Sequence, residues 1–504
     1  MPNMLYQALF APLASRDTPL LYAPDGRGTT GAEFHAMVMR YASTLQKLDL
    51  APGDRVAVQV TKSKEAFALY GAAVATGVVF LPLNTAYTAA EVSYFVENSG
   101  ASLLIGDSAN AGQLEGVARN HGARFLTMKS DGSGSFADHA ENQSPSFTPV
   151  DRGPDDLAAL LYTSGTTGRS KGAMLSQSNL LSNAEVLVDQ WRFTEKDILL
   201  HALPIFHTHG LFVASNVILR AGASMIFLPS FNTDTVVDFI PTATTMMGVP
   251  TFYTRLLDDP RFNRELTQHM RLFTSGSAPL LAETHVAFEE RTGHKILERY
   301  GMTETNMSTS NPYDGERRAG TVGFPLPGVE LEITDPSNGE PMPEGEPGMI
   351  EVRGPNVFQG YWQMPEKTKE ELRDNGFFIT GDIGQIDADG YVSIVGRQKD
   401  LIITGGYNVY PKEIELVFDE QPGVLESAVI GLPHPDFGEA VACVVVPEKG
   451  VALDVQVLSE AIKNSVARFK QPKAIFVVDS LPRNTMGKVQ KNVLRDTYRG
   501  QFVR

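Results

Sequence analysis

Through its first 300 residues the chain alternates segments of helical apolar spacing with short apolar runs, which restricts it to a layered α/β architecture. AEFHAMVMRYASTLQKL (32–48) has the helical spacing, and RVAVQV (55–60) follows as a strand. KEAFALYGAAVATG and VVFLPL, then AEVSYFVENSG and ASLLIGD, repeat the pair. After residue 195 the strands ILLHALP, ASMIFLP, ATTMMGVP and HMRLFTSGSAP end in loops. This βαβα rhythm predicts mostly parallel, doubly wound sheets with helices on their faces. Between the two series, 129–156 is rich in Ser, Gly, Asp and Pro and is expected to connect two subdomains at the surface. GSGSFA (132–137) within it fits a loose dinucleotide-binding pattern, but neither a strand before it nor a helix after it is expected, so it is set aside.

A chain of 504 residues is long enough for two to four folding units. From residue 348 the texture changes to short strands and turns, with Ala388-Asp389-Gly390 as a hairpin turn. Beyond Arg397-Gln398-Lys399-Asp400 comes a compact α+β stretch. The expected organisation is a large N-terminal domain, 1–398, whose part from about 320 is β-rich, and a small C-terminal domain, 399–504. The net charge of −16 speaks against a broad nucleic-acid surface. Cys443 is the sole cysteine, which excludes an intramolecular disulfide and a multi-cysteine zinc site and suits a reducing compartment. The start lacks a basic n-region, and the chargeless stretch 66–90 contains Gly71, Gly77, Pro82 and Asn84, so a buried helix and strand are expected there rather than a membrane span. The expected location is the cytoplasm.

The strongest local signal is LAALLYTSGTTGRSKG (157–172). A wholly apolar strand ends at Tyr162 and delivers Thr163, Ser164, Gly165, Thr166, Thr167, Gly168, Arg169, Ser170, Lys171 and Gly172. Glycines let backbone N–H groups converge on an anion, hydroxyls add donors, and Arg169 and Lys171 supply countercharge. Such a loop suits a polyphosphate, although its spacing is not that of a Walker A motif.

Together with later motifs in order, this loop resembles that of the adenylate-forming superfamily of acyl-CoA synthetases, luciferases and peptide-synthetase adenylation domains. Those motifs are LPIFHTHG (203–210), TSGSAP (274–279), ERYGMTET (298–305), TGD ending at Asp382, GRQKDLIITGGYNVYPKEIE (396–415) and LPRNTMGKVQK (481–491). HTHG and ERYGMTETNMSTSNPYDG are most similar to malonyl-CoA synthetases. The resemblance implies a large N-terminal domain of doubly wound sheets plus a distorted β-barrel, and a small mobile C-terminal lid. It implies an ATP-dependent malonate–CoA ligase, with methylmalonate as a further acid: the carboxylate attacks the ATP α-phosphate to give an acyl adenylate and pyrophosphate, then the CoA thiol displaces AMP.

Residue by residue, the resemblance assigns the loop Thr163, Ser164, Gly165, Thr166, Thr167, Gly168 and Lys171 to the phosphates. Ser277, Ala278 and Pro279 border adenine, Tyr300 stacks on it, and Glu298, Gly301 and Met302 complete that wall. Thr303 meets the α-phosphate, Glu304 holds Mg²⁺, Asp382 takes the ribose hydroxyls and Arg397 lies beside ribose and phosphate. Lys488 stabilises the charge that builds as the acyl phosphate forms. Lys399 is the hinge, and Gly405, Gly406 and Tyr407 border the pantetheine of CoA. His207 lies beside the acyl group. Arg299, where synthetases for apolar acids carry a small or neutral residue, and Arg255 are the candidates for a second substrate carboxylate; an internal salt bridge is the competing explanation for each. A synthetase for an aromatic or medium-chain acid, a module loading a carrier protein and a non-enzymatic ATP-binding protein stand as alternatives, the last opposed by the intact set Thr303, Glu304, Asp382, Arg397 and Lys488. ATP, CoA and Mg²⁺ are the implied cosubstrates and cofactor, and a lysine acetyltransferase acting on Lys488 is the one protein partner implied.

Overall fold

The computed structural model describes residues 2–163, 170–404, 407–463, 465–484 and 487–502. They form two compact units, Met1–Glu330 with Val352–Phe378, and Leu331–Glu351 with Ile379–Arg504. The second unit thus takes in residues 331–351 and 379–398 as well as the expected C-terminal stretch.

The first unit holds two largely parallel sheets. One has the order Arg124–Thr127, Leu103–Gly106, Arg55–Gln59, Val79–Pro82, Leu157–Thr163, Lys171–Ser176. The chain passes from Arg55–Gln59 to one neighbour and then crosses back to the other, so right-handed crossovers put successive helices on opposite faces. Accordingly Lys64–Thr76 packs with Gly31–Lys47, and Ala89–Ser99 packs with Ala111–Asn120. Local sequence sets these helices: Ser63 caps the first and Gly77 ends it in the left-handed conformation, while Thr88 and Glu91 form a capping box for the next. The stretch 66–90 is therefore the buried helix Lys64–Thr76, the strand Val79–Pro82 and the start of a further helix. Among the described residues no helix is long and apolar enough to cross a membrane.

The other sheet has nine strands, ordered Phe324–Pro325, Asn306–Ser310, Leu297–Met302, Leu272–Ser275, Thr245–Gly248, Ile198–His201, Ser224–Phe227, Pro19–Tyr22, Gly28–Thr30. From Ile198–His201 the chain moves outward to Ser224–Phe227 and then returns across to Thr245–Gly248. That reversal opens a crevice at the carboxyl ends of these strands, where open α/β sheets bind ligands.

The second unit contains the expected strands around residues 424–447 and the helix Pro411–Asp419, with Cys443 free and buried between strands. For the β-rich stretch, the described residues show a four-stranded sheet, Glu330–Thr334, Gly348–Arg353, Phe378–Ile386, Val392–Arg397.

Two local expectations are corrected. Lys171 is not a loop residue but opens the strand Lys171–Ser176, register partner of Thr163 on Leu157–Thr163, so the phosphate motif joins two antiparallel strands. GSGSFA does follow a strand, Arg124–Thr127, and does open a helix, Ser135–Glu141. Its glycine serves packing: a Cβ on Gly134 would stand 2.5 Å from the Thr127 carbonyl oxygen. Asp131 also places a carboxylate within that loop, accepting from Ser133, which opposes phosphate binding.

Candidate active site

Strand Leu297–Met302 runs parallel to Leu272–Ser275 and antiparallel to Asn306–Ser310. Strand alternation sends Glu298 and Tyr300 to one face and Arg299 to the other. Arg299 is only 2% exposed. Its guanidinium rests on Gly276, where a Cβ would stand 2.2 Å from Nη1 and 2.4 Å from Cζ, so glycine is what lets the loop after Leu272–Ser275 close on the cation. Among the described residues Nε and Nη2 have no hydrogen-bond partner. Those two nitrogens present parallel N–H bonds on one edge of the guanidinium, the fork that takes a carboxylate bidentately. Burial pulls the pKa of Arg299 down to about 9, with Tyr253 and Glu298 acting against it, so the group remains a cation at neutral pH.

Apart from the Glu298 carboxylate, the groups around this cation are neutral. Tyr253 is buried and donates to the Thr274 carbonyl oxygen at 2.5 Å. His209 Nδ1 lies 3.1 Å from Ser277 Oγ, and burial, followed by the Arg299 charge, holds its pKa well below the ordinary histidine value. Ser277 adopts a left-handed backbone (φ 71°), a conformation that costs a non-glycine residue about 1 kcal/mol or more. His207 is half-buried, its Nδ1 accepting from the His209 backbone N–H at 3.3 Å. Arg255 is not brought inside: it lies on the exposed side of helix Pro250–Leu257, while Tyr253 on the same helix faces Arg299.

The ERYGMTET motif forms the hairpin Leu297–Met302 to Asn306–Ser310. Gly301 is required there, because a Cβ would stand 1.8 Å from the Asn306 carbonyl oxygen. Glu304, in the turn, is 4% exposed and its Oε1 accepts from Thr163 Oγ1 at 3.2 Å and the Tyr361 hydroxyl at 3.1 Å. The same hydroxyl donates to Glu371 at 2.6 Å, and Lys171 Nζ lies 3.0 Å from that carboxylate and 4.1 Å from the Tyr361 ring centroid. Burial pushes the Glu371 carboxyl up, but hydrogen bonds from Tyr361, Lys367 and Lys171 outweigh it and hold the pKa low. Tyr361 and Glu371 carry no motif in the sequence; Tyr361 is placed by pairing with Ala173 along strand Lys171–Ser176. One hydroxyl proton serves two carboxylates, a crowding that a hard cation beside Glu304 would relieve. Tyr300, Met302, Thr303 and Ala278 are half-buried and Pro279 is exposed. Ser164, Gly165, Thr166, Thr167, Gly168, Gly405 and Gly406 lie outside the described residues.

In the second unit, Asp382 and Arg397 face each other on paired strands with Nε and Oδ1 2.6 Å apart. Lys399 is exposed on the turn Gln398–Asp400. Lys488 is exposed; its backbone N–H donates to Asn484 Oδ1 at 2.9 Å and its carbonyl accepts from the Asn484 N–H at 2.9 Å. Tyr407, 60% exposed, stacks on Phe469 with ring centroids 4.7 Å apart.

Residues 12–362 match the family described as AMP-binding enzyme, and residues 413–488 match the AMP-binding enzyme C-terminal domain. The chain belongs to the AMP-binding enzyme family. Among solved structures it is similar to ATP-bound MatB from Rhodopseudomonas palustris, with 56% identity, a TM-score of 0.98 and the whole of both chains covered. A malonate–CoA ligase of Arabidopsis thaliana is 33% identical over 99% of this chain and 89% of its own length. A mitochondrial malonate–CoA ligase of Mus musculus is 36% identical over 83% of this chain and 77% of its own. The resemblance drawn from the motifs and the two-domain α/β adenylate-forming fold are thereby confirmed. Within the AMP-binding enzyme match fall the phosphate loop, His207, Arg299, Glu304 and Tyr361, and the C-terminal match ends at Lys488. Asp382, Arg397 and Lys399 lie between the two matched stretches.

Proposed function

We propose that the chain is an AMP-forming malonate–CoA ligase, and the observation that carries this reading is the buried, unpartnered fork of Arg299. A buried cation is costly unless an anion pairs with it, and a second carboxylate on the acid supplies the bidentate partner that an apolar acid lacks. The names of the Arabidopsis and mouse relatives support the same substrate. Methylmalonate, which keeps that carboxylate, is the further acid expected to react.

Malonate and ATP give malonyl-AMP and pyrophosphate; the CoA thiol then attacks the acyl carbon, and malonyl-CoA and AMP leave. In-line attack at phosphorus needs positioning and charge neutralisation rather than a covalent protein nucleophile. Arg299 fixes one carboxylate, leaving the other to attack, with His207 beside the acyl group. Thr163, Lys171 and the loop between them receive the phosphates, and Thr303 the α-phosphate. Ser277 to Pro279 and Glu298 to Met302 border adenine, while Asp382 and Arg397 hold ribose. Glu304, with Thr163 beside it, would hold Mg²⁺, which supplies neutralisation of phosphate charge; one carboxylate suffices because Mg²⁺ takes most of its ligands from phosphate and water. Lys488 serves the first half-reaction and the Thr404 to Tyr407 segment the second, with Lys399 as hinge. Acetylation of Lys488 by a lysine acetyltransferase would abolish its charge and so the first half-reaction. The lone, buried cysteine supports the cytoplasm as the location.

The test is pyrophosphate and AMP release with ATP, Mg²⁺ and CoA across malonate, methylmalonate, acetate, octanoate and benzoate. Malonate is expected to exceed the three monocarboxylates in kcat/KM by about 10²-fold or more, the value of one charge-assisted bidentate contact. A preference for octanoate or benzoate would keep the two-step chemistry and remove malonate as the substrate.

A further inference from the structure

Lys62 stands just past the carboxyl end of strand Arg55–Gln59, is 8% exposed, and reaches from its own sheet to the carboxyl end of Ile198–His201 in the other. Its Nζ is 2.8 Å from His201 Nδ1, 2.8 Å from the His201 carbonyl oxygen, 2.9 Å from the Leu203 carbonyl oxygen and 4.3 Å from the Phe227 ring centroid. Two of the three polar contacts are carbonyl acceptors, and in the Nε2–H tautomer His201 Nδ1 is a third; satisfying all three then takes three N–H donors, hence an ammonium. Burial opposes that charge and lowers the Lys62 pKa. A neutral amine would accept from His201 Nδ1–H and leave Nε2 without a proton facing the Gly210 carbonyl oxygen 2.9 Å away. Ser215 Oγ lies 3.2 Å from Nε2 and 2.8 Å from the Gly210 carbonyl oxygen; with that hydroxyl donating to the carbonyl, the Nε2–H form of His201 closes the chain from Lys62 through His201 to Gly210.

That carbonyl lies in the first turn of the π-helix His209–Ser215, which follows closely on a tight bend of the chain. A Cβ on Gly210 would stand 2.0 Å from the Pro204 carbonyl oxygen, and the Leu211 N–H donates to the His207 carbonyl at 3.0 Å. The bend and the start of this helix carry His207 and His209, and His209 meets Ser277 beside Arg299. We propose that Lys62 is a positioning residue for the acid pocket: its ammonium fixes the His201 tautomer and clamps residues 203–210, so that His207 and His209 are held against the loop that carries Ser277. The inference rests on the reading of this pocket as the acid site. It explains why a cation is retained in a buried, uncharged setting.

The experiment compares KM for malonate and for ATP in Lys62→Met, His201→Leu, the double variant and His201→Gln. Lys62→Met and His201→Leu are each expected to raise malonate KM about tenfold while ATP KM stays within about twofold, the size of one buried charged hydrogen bond. The double variant is expected to be no worse than either single one, because both act through one chain of hydrogen bonds. His201→Gln is expected to restore malonate KM, since its amide oxygen accepts from Lys62 and its NH₂ donates to Gly210. In ¹⁵N-histidine-labelled protein, His201 is expected as the Nε2–H tautomer, lost in Lys62→Met. Equal shifts in both KM values, additive losses, or an Nδ1–H His201 in the unmodified protein would overturn the proposal. If Lys62→Met fails to fold, the His201 pair and the tautomer still decide. If the unmodified protein prefers another acid, the malonate reading fails, and the same comparison with that acid tests Lys62 independently.

Discussion

Arg299→Met is expected to lower kcat/KM for malonate by about 10²–10³-fold while propionate turnover holds within about threefold, because a buried charge-assisted pair is worth about 2–5 kcal/mol when one partner is removed. Propionate is malonate with a methyl group in place of one carboxylate, so it never engages the fork on Nε and Nη2. The thermal midpoint is expected to hold or rise. Methionine fills the space beside Gly276 and Tyr253 with apolar atoms and removes a cation whose burial already lowers its pKa. Initial rates with both acids and a melting curve check this; equal losses on the two acids, or a large fall in midpoint, would make Arg299 a structural residue.

Lys488→Ala is expected to lower malonate-dependent pyrophosphate release by about 10³-fold, about 4 kcal/mol of transition-state stabilisation, and to spare the conversion of supplied malonyl adenylate to malonyl-CoA. In the first half-reaction charge is redistributed from the attacking carboxylate onto the oxygens of the α-phosphate and the departing pyrophosphate, whereas thioester formation takes place at the acyl carbon, so an ammonium positioned at the α-phosphate for the first step acts chiefly there. Lys488 is exposed, and stability is expected to stay within about 0.5 kcal/mol, as for most surface substitutions. Protein acetylated at Lys488 is expected to show the same split. Half-reaction assays check both; equal losses in the two would place Lys488 outside the first chemical step.

The elements that build the crevice were legible because each apolar run is short, punctuated by Gly, Pro or Asp, and separated by helical spacing. Arg299 was legible as a charge where a motif otherwise tolerates a neutral residue. Strand Lys171–Ser176 was not: KGAMLS begins with a charge and a glycine next to a polar loop, and its pairing partner Leu157–Thr163 fixes it only through the tertiary ladder. Tyr361 and Glu371 lie far along the chain from Lys171, whose ammonium they contact, in the unremarkable stretch GYWQMPEKTKEEL, so no local pattern marks them. Lys62 sits in VTKSK, which has the composition of a solvated strand-to-helix turn; only the approach of the second sheet buries it. Arg255 misled for the opposite reason: its helix turns Tyr253, two residues earlier, toward the site and leaves Arg255 outside.

The most direct measurement is a crystal structure with a non-hydrolysable malonyl-adenylate analogue. The expected result is the free carboxylate of the malonyl group within hydrogen-bonding distance of both Nε and Nη2 of Arg299, with Gly276 beneath the guanidinium. A malonyl carboxylate directed away from Arg299, with the guanidinium paired to a protein group, would contradict the dicarboxylate pocket.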